Sequence, residues 1–211
     1  MRCIHRKGWH FRYRNNIFFH GGAILDGGHT FGKNGEKNTF LPSSASRAGP
    51  APVLYHRSMP REWQVVLAIP ELHKGAHDQQ EVNIFQEYCP VSIKDVRTLC
   101  HLLLMVILPA IETRSFSSLC EGINRIQSTG FKKVEIDIRG DSIKTLMEQL
   151  KDAGAPCVGM SSFGPTLYAL ARNNQQAEEI RDNVLGLGYP MRECIITRFN
   201  NHGAEVKLLD G

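Results

Sequence analysis

No Cys-x-x-Cys pair occurs among the six cysteines, Cys3, Cys89, Cys100, Cys120, Cys157 and Cys194. That excludes a zinc ribbon or a small disulfide framework and leaves buried thiols as the expectation. No apolar run approaches the roughly 18 residues that a bilayer crossing requires. The longest candidate, Leu102 to Ala110, follows His101 and is interrupted by Pro109, so no membrane span is expected. The N-terminus lacks the apolar stretch and small-residue cleavage site of a secretory signal, and the expected compartment is the cytoplasm. No internal repeat or low-complexity tract is present.

Acidic residues are missing from the first twenty positions, which hold Arg2, Arg6, Lys7, Arg12 and Arg14. These five bases account for the formal charge of +4, since the rest of the chain has 20 bases against 21 acids. The body therefore lacks the basic signature that binding a nucleic-acid backbone requires, and no nucleic-acid partner is expected. What is present is an ordinary globular composition, 42% hydrophobic and 22% charged over 211 residues, enough for one full domain and part of a second.

Gly21 to His29 reads as a short buried strand bounded by glycines, followed by irregular chain through Thr30 to Asn38 and Pro42 to Pro52. Trp63 to Pro70 is a second strand closed by proline, and a domain boundary falls near Pro60. Gln79 to Tyr88 is helical, and Ile93 to Ile111 is apolar around most of its circumference, which predicts a largely buried helix with His101 as a satisfied core residue. Ser115 to Ser128 has Phe116, Leu119, Ile123 and Ile126 at helical spacing. Val134 to Ile138 alternates apolar and acidic residues and reads as a strand. Asp141 opens a helix lined by Ile143, Leu146, Met147 and Leu150, stopped by Gly154. Strands at 157–161 and 166–171, a helix at 175–187 and a strand at 193–199 complete the chain. This order fits an α+β fold with helices on one face of a mainly antiparallel sheet.

The string Ala155-Pro156-Cys157-Val158-Gly159-Met160-Ser161-Ser162-Phe163-Gly164-Pro165-Thr166 places a glycine- and serine-rich turn between two strands. Such a turn can present backbone N–H groups and hydroxyls to an anion, although on physical grounds alone most are plain hairpins. Gly-Met-Ser-Ser-Phe-Gly-Pro-Thr nevertheless resembles the C-terminal glycine-rich motif of the β-ribofuranosylaminobenzene 5′-phosphate synthase family of the GHMP kinase superfamily. Three further strings share the resemblance: Gly21 to His29, Phe40 to Ser46, and Glu81 to Pro90. It covers the chain from about Phe18 onward. It implies a GHMP-type C-terminal domain, with a ferredoxin-like antiparallel sheet, over residues 61–211, and a remnant of the N-terminal domain over 18–60.

The resemblance implies a pentosyltransferase of methanopterin biosynthesis that joins a 4-aminobenzoate-type acid to phosphoribosyl pyrophosphate, with loss of carbon dioxide and pyrophosphate. Magnesium is the implied cofactor, as counter-ion to the pyrophosphate. Gly159, Ser161, Ser162 and Gly164, together with Ser43 and Ser44 beside Arg47, are the expected phosphate-binding residues. Asp26 and His29, ending a glycine-flanked strand, are the candidates for proton transfer. The competing reading makes Asp26 a turn cap and His29 a polar surface residue. Lys33 and Lys37 are candidates to close over an anionic substrate, or ordinary loop lysines. No metal ligands are assigned, and a homodimer is compatible with the sequence.

The resemblance also implies an earlier Gly-Leu-Gly-Ser-type phosphate loop, which the sequence lacks. Residues 1–17 match nothing in the family and show no periodicity. Read one base later, the codons of Gly8 to Arg14 permit Gly-Gly-Ile-Ser-Gly-Ile-Gly, which resembles the family at this point. The expectation is a shifted frame over 1–17 and an inactive chain when alone. Two other readings stay open: a stand-alone domain binding a phosphorylated metabolite or a partner, and an ATP-dependent small-molecule kinase.

Overall fold

The structure, a computed structural model, describes residues 15–28, 51–73, 76 and 78–205. Two compact units emerge, the first drawn from Met1–Ser58, Asp78–Glu87 and Asn200–Gly211, the second from Met59–His77 and Tyr88–Phe199.

In the first unit, α1 (Asn15–His20) leads into β1 (Ala23–Asp26), which pairs antiparallel with β2 (Val53–Arg57) from Ala23 opposite Arg57 to Asp26 opposite Val53. Gly21, at φ +66°, is pressed so closely against the backbone of Asn200 and His202 that no Cβ would fit. Gly22 N–H donates to Asn200 O at 2.7 Å, and Ala204 N–H to Phe18 O at 2.7 Å. Neither α1 nor β2 is announced by periodicity: four of the five β2 residues are exposed, so burial imposes no alternation on its sequence. Helix α2 (Asp78–Tyr88) contributes its first ten residues to this unit.

The second unit holds a four-stranded sheet in the order β4 (Cys157–Met160), β5 (Leu167–Ala171), β3 (Gln64–Pro70), β6 (Met191–Arg198), antiparallel throughout. Strand alternation turns Val66 and Ala68, Leu167, Ala169 and Ala171, and Val158 and Met160 into one core. Ile143, Leu146, Met147 and Leu150 of α7 (Asp141–Asp152) close this core together with Ala177, Ile180 and Val184 of α8 (Asn174–Gly186). Each fully buried leucine or isoleucine there contributes roughly 1.5–3 kcal/mol. The fold is the α+β arrangement expected, with an antiparallel sheet backed by helices.

Helix α5 (Phe116–Gln127) runs along the open edge of β4. Asn124 Oδ1 accepts from Val158 N–H at 3.2 Å, Asn124 Nδ2 donates to Pro156 O at 2.9 Å, and Gln127 Oε1 accepts from Met160 N–H at 3.1 Å. Side-chain amides at helical spacing thus take the place of a fifth strand and satisfy the edge. At the start of α5, Phe116 stacks edge-on against Trp63 and lies beneath the Arg172 guanidinium, 5.2 Å from the ring centroid.

The structure corrects four expectations. Val134 to Ile138 is not a strand but the middle of α6 (Gly130–Arg139), bracketed by Gly130 at φ +58° and Gly140 at φ +76°. Its alternation is accidental, since Ile136 is buried while Ile138 is 42% exposed. Ile93 to Ile111 is not one largely buried helix. It divides into α3 (Ile93–His101), a π-helical turn (Leu102–Ile107) and α4 (Leu108–Glu112). Only Leu102, Ala110 and Ile111 are buried, and Leu104 and Met105 are exposed, because packing uses one narrow side where Ile107 meets Gly122 of α5. His101 is exposed rather than a core residue, since α3 buries nothing. Of the described cysteines only Cys120 and Cys157 are buried, and Cys100 on α3 is exposed.

Candidate functional site

The connection from β4 to β5, Ser161 to Thr166, is closed by Ser161 N–H donating to Thr166 O at 2.9 Å. Within it Gly164 N–H donates to Ser161 O at 2.8 Å. Ser162 at φ +48° and Gly164 at φ +70° both take left-handed backbone, uncommon for a serine and natural for a glycine. Phe163 anchors the turn, being buried and packed edge-to-face on Phe131 of α6 with centroids 6.0 Å apart. Ser161 and Ser162 are exposed at the tip. Among the described residues no partner takes the N–H of Ser162 or Phe163, or either serine hydroxyl.

Beneath the turn lies α6, whose helical spacing brings Phe131, Lys132, Glu135 and Arg139 to one side. Lys132 Nζ donates to Met160 O at 3.2 Å and to Ser162 O at 3.1 Å, and pairs with Glu135. The Arg139 guanidinium donates to His73 O at 2.7 Å, and its Nε lies 3.6 Å from where a Cβ on Gly164 would stand, a position that also presses on Met160 Sδ. Burial lowers the Arg139 pKa, as expected for a cation partly withdrawn from water. A turn with free N–H groups and hydroxyls can hold a phosphate or pyrophosphate oxygen. Lys132, Glu135 and Arg139 escaped sequence reasoning. The signal was present in the i, i+3, i+7 spacing of 132, 135 and 139, and is hidden by the strand-like alternation of 134–138.

Gly159 lies inside β4 rather than in the turn, opposite Tyr168, and a Cβ there would overlap the Tyr168 ring and hydroxyl. Its missing side chain is thus needed for packing. Burial, with a smaller contribution from Cys157, pushes the Tyr168 phenol up to about 12, and a hydrogen bond with Gln127 partly offsets this. Cys157 Sγ donates to Cys120 Sγ at 2.9 Å, which joins α5 to β4 and raises the Cys157 pKa, reinforced by burial, while it lowers that of Cys120.

In the first unit Asp26 is half-buried, and its Oδ1 accepts from Gly28 N–H at 3.0 Å. That is an Asx-type turn, the cap reading of this residue. His29, Ser43 and Ser44, like Lys33, Lys37, Arg47 and the segment Met1 to Arg14, lie outside the described residues. Among the described residues no group of three His, Cys, Asp or Glu side chains could hold a metal, and no helix is long and apolar enough to cross a membrane. The donors around the turn are N–H groups, hydroxyls and cations, which do not fit a resident magnesium ion.

Residues 107–189 match the family described as GHMP kinases C terminal. Mevalonate kinase from L. major shares the fold with a TM-score of 0.57 at 15% identity, over 74% of this chain and 48% of that one. Homoserine kinase from Cytophaga hutchinsonii does so with a TM-score of 0.55 at 12% identity, over 72% and 46%. Likeness at these identities speaks for fold alone, and with the family match it places the chain in the GHMP kinase superfamily.

Curated relatives narrow the class. The chain is 44% identical over 194 residues to beta-ribofuranosylphenol 5'-phosphate synthase of Archaeoglobus fulgidus, covering 91% of this chain and 58% of that protein. It is 41% identical to the protein of the same name from Methanothermobacter thermautotrophicus, covering 89% of this chain and 55% of the relative. The chain belongs to the family that these synthases form, and it spans little more than half of their length. The relatives' name specifies a phenol, where the resemblance in the sequence pointed to an aminobenzene.

Proposed function

We propose that this chain is part of a pentosyltransferase that joins a para-substituted benzoate to phosphoribosyl pyrophosphate. The observation that carries the reading is the 44% identity to a ribofuranosylphenol phosphate synthase, supported by a β4–β5 turn whose donors suit a phosphorylated substrate. In the proposed reaction the ring carbon bearing the carboxylate forms a bond to the anomeric carbon. The bond from the anomeric carbon to pyrophosphate breaks and its electron pair leaves with the pyrophosphate. The carboxylate departs as carbon dioxide, and its bonding pair restores the aromatic ring, so no net proton transfer is needed at the ring. A para hydroxyl or a para amino group donates density to that carbon, which accounts for both substituents as candidates. The relatives' name favours 4-hydroxybenzoate.

The turn would bind the pyrophosphate or the 5′-phosphate through the N–H groups of Ser162 and Phe163, with Ser161 and Ser162 as further donors. Any magnesium would enter as part of the pyrophosphate complex, since the described residues offer it no cage. The test joins this chain to the portion of the Archaeoglobus fulgidus synthase outside the match and supplies carboxyl-labelled 4-hydroxybenzoate with phosphoribosyl pyrophosphate. Equal release of labelled carbon dioxide and pyrophosphate is expected. Pyrophosphate release with the label retained would contradict carbon–carbon bond formation. Phosphate transfer from ATP would favour a kinase.

A further inference from the structure

Resting on the assignment of the β4–β5 turn as an anion site, we propose that Lys132 is its positioning residue, holding the Met160 and Ser162 carbonyl oxygens away so that the N–H groups of Ser162 and Phe163 are left to face a phosphate oxygen. The argument starts from the planar trans peptide, in which C=O and N–H point in opposite directions. Ser162 C=O is directed at the Lys132 ammonium, at 3.1 Å. The N–H of the same peptide belongs to Phe163 and therefore points away from Lys132. Ser161 C=O accepts from Gly164 N–H at 2.8 Å, which turns the Ser162 N–H the opposite way. Met160 C=O, which would otherwise stand at the end of β4, is also taken by Lys132, at 3.2 Å. Each carbonyl from 160 to 162 thus has a donor, whereas two successive N–H groups have no acceptor among the described residues.

The lysine is itself fixed in place. Its side chain is 20% exposed and is paired with Glu135, 10% exposed, one turn along α6. A lysine so neutralised contributes little net charge to an incoming anion, and its effect lies in peptide orientation. Glu135 prevents Lys132 from reaching out to the anion as a free cation would, and Phe131 on the same helix packs edge-to-face on Phe163.

The experiment compares the full chain with Lys132→Met and Lys132→Arg, using inorganic pyrophosphate as the probe in calorimetry and amide NMR as a second readout. Lys132→Met is expected to weaken pyrophosphate binding about tenfold, the scale of one charge-assisted hydrogen bond, whereas Lys132→Arg stays within about threefold. In the ligand-free protein the Ser162 and Phe163 amide resonances should move in Lys132→Met and hardly move in Lys132→Arg. Should Lys132→Met fail to fold, Lys132→Gln replaces it with the same outcomes expected. Pyrophosphate binding that is unchanged in the uncharged variant overturns the proposal and leaves the anion site standing. No binding by the unsubstituted chain overturns the anion site instead, and unmoved amide resonances then overturn the positioning role as well.

Discussion

Two polar turns close short strands in this molecule, and they differ in what they leave available. After β1, the Asp26 carboxylate accepts from Gly28 N–H and the intervening Gly27 N–H donates to Pro52 O at 2.8 Å, so both described N–H groups of the turn are taken. After β4, the Ser161–Thr166 turn is closed by two hydrogen bonds of its own and supported from outside: Lys132 of α6 takes two carbonyls, Phe131 packs on Phe163, and Gln127 of α5 binds the strand that leads in. A turn held from behind can leave N–H groups for a ligand. Polar residue type alone does not make a site; the distribution of satisfied and unsatisfied backbone groups does.

The comparison breaks if damage to the supports of the β4–β5 turn is as mild as damage to Asp26. The largest effect is expected at Gly159→Ala, where the new methyl group collides with the half-buried Tyr168 ring, at a cost of about 3 kcal/mol in urea unfolding. A neutral result would mean that Tyr168 can swing aside and that the strand is less tightly packed than described.

Tyr168 itself makes the second test. Its folded pKa is raised from 10 to about 12, chiefly by burial, so between those values the folded state keeps a proton that the unfolded chain has released. Its contribution to stability is therefore complete below about pH 10 and is lost as the pH rises through about 12. Two pKa units correspond to about 2–3 kcal/mol. Unfolding measured from pH 9 to 12 should show that loss, and Tyr168→Phe should remove most of it.

Gln127→Leu should cost roughly 1–2 kcal/mol by leaving the buried Met160 N–H without an acceptor, and thermal melting would measure it. Asp26→Ala should cost least, about 0.5–1 kcal/mol, for the loss of one half-buried hydrogen bond. It should leave pyrophosphate affinity unchanged. A large loss of affinity there would return Asp26 to the functional site.

The same contrast explains which parts of the sequence were legible. Helix α7 reads directly from Ile143, Leu146, Met147 and Leu150, all of which are buried, because one face meets a sheet and the other meets water. Strands β3, β4, β5 and β6 were legible within a few residues, since their apolar content follows the core. The neighbouring α6 was not. Its Val134-Glu135-Ile136-Asp137-Ile138 mimics a strand, whereas the helix is bounded by glycines at 130 and 140 and carries the i, i+4 ion pair Lys133–Asp137 at 2.7 Å, which strand periodicity does not weigh. The turn was visible as Ser161, Ser162 and Gly164, but its supports were hidden inside the misread segment. The apolar run from Ile93 to Ile111 misled in the opposite sense, because composition alone does not say which side of a helix finds a partner.

The central claim is that the β4–β5 turn binds an anion through backbone donors. Its most direct test is an amide NMR titration of the full chain with inorganic pyrophosphate. Saturable shifts centred on Ser162 and Phe163, with smaller ones at Ser161 and Gly164, are the predicted result. Shifts that bypass these four residues, or no saturable response up to millimolar pyrophosphate, would contradict it.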